Sequence, residues 1–64
     1  MEMKSKVVPV SNVYVGLDVL GEAADNVYFE RKRAGAKSVM IEDTNIVDRS
    51  DTLVYVKVDY YEVM

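Results

Sequence analysis

Apolar and polar positions along this chain follow two different periods. Val13, Val15, Leu17 and Val19 alternate with Tyr14, Gly16 and Asp18. A period of two is the mark of a half-buried strand, because successive side chains point to opposite faces of a sheet. The pattern therefore predicts a first strand within the β-branched stretch 7–20. Pro9 has no N–H to give to a ladder, so any pairing before it belongs at a sheet edge, and the ordered strand is expected to begin near Ser11. Residues 1–6 are polar and charged and read as a loose tail.

The period then changes. Leu20, Ala23, Ala24, Val27, Tyr28 and Ala34 recur at helical spacing, which predicts a helix with one apolar stripe. Gly21 is the expected N-cap, with Glu22 and Asp25 in a first turn where the helix dipole favours anions. Arg31, Lys32 and Arg33 fill the last turn, where cations are favoured, and Gly35 fits the position just past the helix end.

Two further strands are predicted. One runs through Ser38, Val39, Met40 and Ile41 towards Val47. The other spans Thr52–Val63, with Val54, Val56, Val58 and Tyr60 alternating against Leu53, Tyr55, Lys57, Asp59 and Tyr61. Asp48–Asp51 has turn composition. A four-residue loop there pairs Val47 with Thr52 and sets Val39 opposite Tyr60, Ile41 opposite Val58, Glu42 opposite Lys57 and Ile46 opposite Leu53. That register yields an apolar pair and an ion pair, and a one-residue slip would lose both.

The lengths do not match. A helix of about 14 residues is roughly 21 Å long, whereas a hairpin over 37–63 extends about 30 Å. Either the hairpin bends at a bulge near Asp43, or another subunit covers Leu53, Val54 and Val56. The second is preferred, because 64 residues build a small core that commonly needs outside support.

Composition narrows the chemistry. One domain over 1–64 is expected at this length. There is no cysteine and no histidine, which excludes disulfides, thiolate metal sites and Ser-His-Asp or Cys-His catalysis. No calcium loop of EF-hand type is present. Neighbours in a strand face opposite ways, so Glu42 and Asp43 do not form an acid/base pair, and Asp48 with Asp51 reads as turn chemistry. No catalytic residue, metal or cofactor is assigned. The net charge of −3, from 11 acidic and 8 basic residues, disfavours general nucleic-acid binding. The basic run Arg31-Lys32-Arg33 with Lys37 reads first as a solvated, dipole-complementing last turn. No run approaches a membrane span and no signal-peptide pattern opens the chain, so a soluble cytoplasmic protein is expected.

The tyrosines form the most suggestive set. On the alternation above, Tyr14, Leu53, Tyr55, Lys57 and Tyr61 share the sheet face turned away from the helix. Tyrosine suits contact surfaces because it joins a large apolar body to a polar tip. These five residues are the candidate contact face.

The order strand, helix, long hairpin in about 65 residues resembles dodecin, the small flavin-storing oligomer. That resemblance implies flavin stacked on an aromatic strand residue, usually tryptophan. None is present here, so Tyr14 or Tyr55 would take its place. The passage Arg33-Ala34-Gly35-Ala36-Lys37-Ser38-Val39-Met40-Ile41 is similar to the helix-end, Gly-Ala, strand passage of small bacterial stress and envelope domains of the multiple-stress-resistance type.

Together these readings predict an α+β fold: a three-stranded, mainly antiparallel sheet in β-α-β-β order, with one helix on one face and the last strand central. The expected function is a non-enzymatic interaction or assembly module, a homo-oligomer joined through its outer sheet face or strand edges. The alternatives are a dodecin-like flavin carrier and a small acidic inhibitor or adaptor that binds a larger host protein.

Overall fold

In the computed structural model, which describes residues 2–14 and 17–64, β3 (Leu53–Val63) is the middle strand of an antiparallel sheet. It is flanked by β1 (Lys4–Ser11) and β2 (Ser38–Arg49), in the order β1-β3-β2, and α1 (Leu17–Arg33) connects β1 to β2. The fold is α+β in β-α-β-β order, as the sequence predicts. β3 takes the centre because its even-numbered side chains are almost all apolar and its ladder groups on both sides find partners. Val54, Val56, Val58 and Tyr60 meet Val8 and Val10 of β1 and the helical stripe Val19, Ala23 and Val27, with Leu20, Val39 and Ile41 packed at the margin.

The N-terminal third departs from the expectation. The first strand ends at Ser11 rather than beginning there, and Lys4–Lys6 belong to β1, not to a tail. Pro9 lies opposite Tyr55 on this edge strand, the kind of place a residue without an N–H can occupy. Tyr14 sits in the turn after β1, and the helix is under way by Asp18. The strand expectation for Val15 and Gly16 lies outside the described residues. The physical reason for the difference is burial. Val19 stands four residues before Ala23 and eight before Val27, and as a helical residue it is 3% exposed in the core. Val13, outside that stripe, is left 77% exposed. Four alternating residues carry a weak local preference, and burying a stripe over a sheet outweighs it. Gly21, expected as N-cap, lies inside the helix instead.

The helix end matches its signals. Gly35 has φ +107°, a conformation open to glycine and costly for other residues. Its N–H donates to the Lys32 carbonyl at 3.1 Å and the Ala36 N–H donates to the Arg31 carbonyl at 3.0 Å. These are the two bonds of a Schellman cap.

The hairpin register also differs from the expectation. Val39 lies opposite Glu62, Ile41 opposite Tyr60, Asn45 opposite Lys57 and Ile46 opposite Val56, with shifts between Ile41 and Asp43 and between Ile46 and Asp48. Glu42 and Val47 are the extra residues, so Glu42 does not face Lys57. The carboxylates after the two bulges hold them locally: Asp43 accepts the Thr44 N–H at 2.9 Å, and Asp48 accepts the Arg49 N–H at 2.8 Å. Bulges coil a strand, and α1 has seventeen residues, about 25 Å at 1.5 Å each. Val54 and Val56 are accordingly 3% and 0% exposed within a single chain. The expectation that another subunit covers them is overturned. A longer helix and a bulged partner strand close the core without one.

Candidate interaction surface

The odd-numbered residues of β3 face away from α1, and no layer of the described residues lies over them. Leu53, Tyr55, Asp59 and Tyr61 are half-buried by their strand neighbours, while Lys57 and Val63 are exposed. Cross-strand partners share a face. β1 therefore adds Ser11, Pro9, Val7 and Ser5 beside Leu53, Tyr55, Lys57 and Asp59. β2 adds Asp48 beside Tyr55, Asn45 beside Lys57, Asp43 beside Asp59 and Met40 beside Tyr61. Val7 and Met40 are 51% and 55% exposed. At the centre, the Ser5 hydroxyl donates to Asp59 Oδ1 at 2.6 Å, with Lys57 Nζ 3.8 Å from the same oxygen.

Of the five residues singled out from sequence, Leu53, Tyr55, Lys57 and Tyr61 lie on this face. Tyr14 does not share it. It lines a shallow groove of about 300 Å³ on the helix with Asp18, Gly21, Glu22 and Asp25. A second open groove, about 340 Å³, runs between Leu20, Gly21 and Ala24 of the helix and Ile41–Thr44 of β2. Among the described residues, no group of three or more acidic side chains is arranged to hold a metal ion, and no helix is long and apolar enough to cross a membrane.

A buried carboxylate that sequence reasoning missed lies on the opposite face. Glu62 continues the inward set of β3, and its side chain is 2% exposed. Lys4 Nζ from β1 lies 2.6 Å from Oε1, and Arg31 of the helix reaches Oε2 through Nε at 2.7 Å and Oε1 through Nη2 at 3.3 Å. Hydrogen bonds from Arg31 and Lys4 hold the Glu62 carboxyl below its ordinary range against the opposing effect of burial, and the same contact raises Arg31. Lys6 likewise pairs with Glu30 and lowers its carboxyl. The signal was present in the sequence, because Glu62 is in phase with Val54, Val56, Val58 and Tyr60. The basic run is thus divided: Arg31 turns inward to Glu62, and Lys32 Nζ donates to the Lys37 carbonyl at 3.0 Å. A carboxylate tied to two cations holds its charge and is a poor proton donor or acceptor. It serves instead to clamp β1, β3 and α1 together.

In comparisons with known proteins, no family model, curated protein or solved structure matches the chain significantly.

Proposed function

We propose that the protein is a non-enzymatic interaction module that associates with further copies of itself through the outer face of its sheet. The carrying observation is the unroofed apolar surface made by Val7, Pro9, Met40, Leu53, Tyr55 and Tyr61 on a domain whose other face is largely covered by its own helix. The chain has no histidine or cysteine, and its buried carboxylate is neutralised by two cations, which supports the non-enzymatic part. Face rather than edge is favoured because both edges are guarded. Pro9 interrupts the donors of β1 and two bulges distort β2, and both devices discourage strand addition.

Size-exclusion chromatography with light scattering, at concentrations up to several hundred micromolar, tests the reading. A species heavier than the 7.3 kDa chain, reduced to monomer by Tyr55→Ser with Tyr61→Ser, supports it. A strict monomer across the range sinks it. Flavin added at high micromolar concentration checks the dodecin resemblance in the same samples, through quenching of its fluorescence.

A further inference from the structure

The outer face of β3 reads Leu53, Tyr55, Lys57, Asp59, Tyr61, Val63: two apolar residues, a cation, an anion, two apolar residues. Reversed end for end about the level of Val58, the series complements itself. Lys57 exchanges places with Asp59, Tyr55 with Tyr61 and Leu53 with Val63. The flanking strands extend the charge pattern into rows. Val7, Lys57 and Asn45 form one row, and Ser5, Asp59 and Asp43 form the next. One row carries a single positive charge and the next carries two negative ones.

Two outer faces can meet about a two-fold axis that lies between the sheets, along the strands or across them. An axis along the strands sets each row over its own copy, with Lys57 over Lys57, Asp59 over Asp59, and Asp43 over Ser5 because the flanking strands change places. An axis across the strands sets the lysine row of each copy over the acidic row of the other, at two symmetry-related places. Like charges opposed across an interface strongly disfavour association, so only the second arrangement is free of repulsion at Lys57 and Asp59. Resting on the outer-face reading above, we infer that the partner is one further copy of this chain, stacked face to face with β3 antiparallel to β3, Lys57 of each copy over Asp59 of the other and Tyr55 over Tyr61. This is an isologous contact that closes at two subunits.

The size of the face sets the strength. Eleven residues of β3 at about 3.3 Å each, and three strands about 4.8 Å apart, give roughly 500 Å² per copy. The total of about 1,000 Å² is near the floor for specific association, so a weak, reversible dimer is expected. Sheets packed in this way sit about 10 Å apart and rotated by about 30°. The rotation displaces the ends of the face more than its centre, so the Lys57 and Asp59 contacts beside the axis fix the register.

Charge reversal tests the arrangement, read as the dimer dissociation constant from sedimentation equilibrium, with circular dichroism confirming the fold of each variant. Lys57→Asp alone and Asp59→Lys alone each oppose like charges twice and are expected to weaken the dimer at least about tenfold. The double variant Lys57→Asp/Asp59→Lys restores the opposite pairing and is expected to recover the affinity. Isotope-filtered NOE spectra of a mixed labelled and unlabelled wild-type sample supply the second measurement. Within one chain Tyr55 and Tyr61 stand about 20 Å apart, six residues at 3.3 Å, so any contact between their rings is intermolecular. Contacts between Tyr55 and Tyr61 across the dimer support the antiparallel stack. Contacts of Tyr55 with its own counterpart, single reversals without effect, or a double variant as weak as the single ones overturn it while leaving self-association through the outer face standing. A wild-type protein that never dimerises removes both.

Discussion

The two faces of β3 hold residues of similar size in opposite circumstances. Val56 and Val58 touch no solvent, whereas Tyr55 and Lys57 beside them have no covering layer. On the inner side, each strand residue meets the helix and both neighbouring strands, so stability is concentrated there. On the outer side, side chains touch only others standing on the same sheet, and their removal leaves the inner layers in place. The difference teaches that one strand can divide its residues, alternately, between those that hold the fold and those that do not. The outer face can change without disturbing the inner one, which is the freedom the proposed self-association requires.

The largest effect that would test this division is expected at Val56. Val56→Ala removes two methyl-sized groups from a site with no solvent exposure, at a cost of about 2–3 kcal/mol. For a domain of this size that lowers the thermal midpoint by roughly 10–20 °C. Tyr55→Ser, one residue away on the outer face, is expected to cost the monomer less than about 1 kcal/mol. Thermal denaturation of dilute samples compares the two, and equal losses would break the contrast between the faces.

Acid provides the next test, because the inner face contains a charge. The folded-state pKa of Glu62 lies below its ordinary value, chiefly through the Arg31 hydrogen bond, and Glu30 is lowered by Lys6. A lowered carboxyl contributes stability that is fully present above the unfolded-state value and is lost as pH falls through the folded one. Urea midpoints are therefore expected to decline from about pH 4.5 downwards, within the carboxylate range. In Glu62→Gln the decline should be shallower, with the Glu30 share remaining. An unchanged slope would show that the clamp adds nothing.

The smallest expected effect is a gain. Gly21 lies in the helix interior, and a Cβ built there meets nothing within 4 Å, so Gly21→Ala should strengthen the covering helix by about 0.5–1 kcal/mol. The gain should appear in the thermal midpoint and leave the proposed self-association untouched, since the substitution lies on the far side of the molecule from the outer face.

Much of this organisation is legible in the sequence where local and tertiary preferences coincide. The run from Arg31 to Gly35 ends the helix by charge, cap and backbone conformation at once, and the alternation of 52–63 identifies both the strand and its two faces. That alternation is why Leu53, Tyr55, Lys57 and Tyr61 emerge as one face. On sequence Tyr14 groups with them because Val13–Val19 alternates like a strand, and only the sheet beneath explains why Val19 joins the helix. The mismatch of helix and hairpin lengths points to a bulge near Asp43, and Glu42 supplies it, but the register on either side and the second bulge at Val47 cannot be read from the hairpin sequence alone. Without the two bulges an unbroken ladder brings Glu42 to Lys57 and looks satisfactory. The clamp at Glu62 depends on partners 58 and 31 residues away in sequence, a distance over which local pattern carries no information.

The sheet order bears on how the chain comes together during synthesis. Among the described residues, β1 and β2 have no ladder in common. Each pairs only with β3, the last of the four elements to be made. Until residues 53–63 emerge from the ribosome, the earlier strands have no native neighbour and the helix has no completed surface to cover. Folding therefore waits for the final element and then proceeds through long-range pairings, such as Lys4 with Tyr60. Such topologies fold more slowly than helical bundles of equal length.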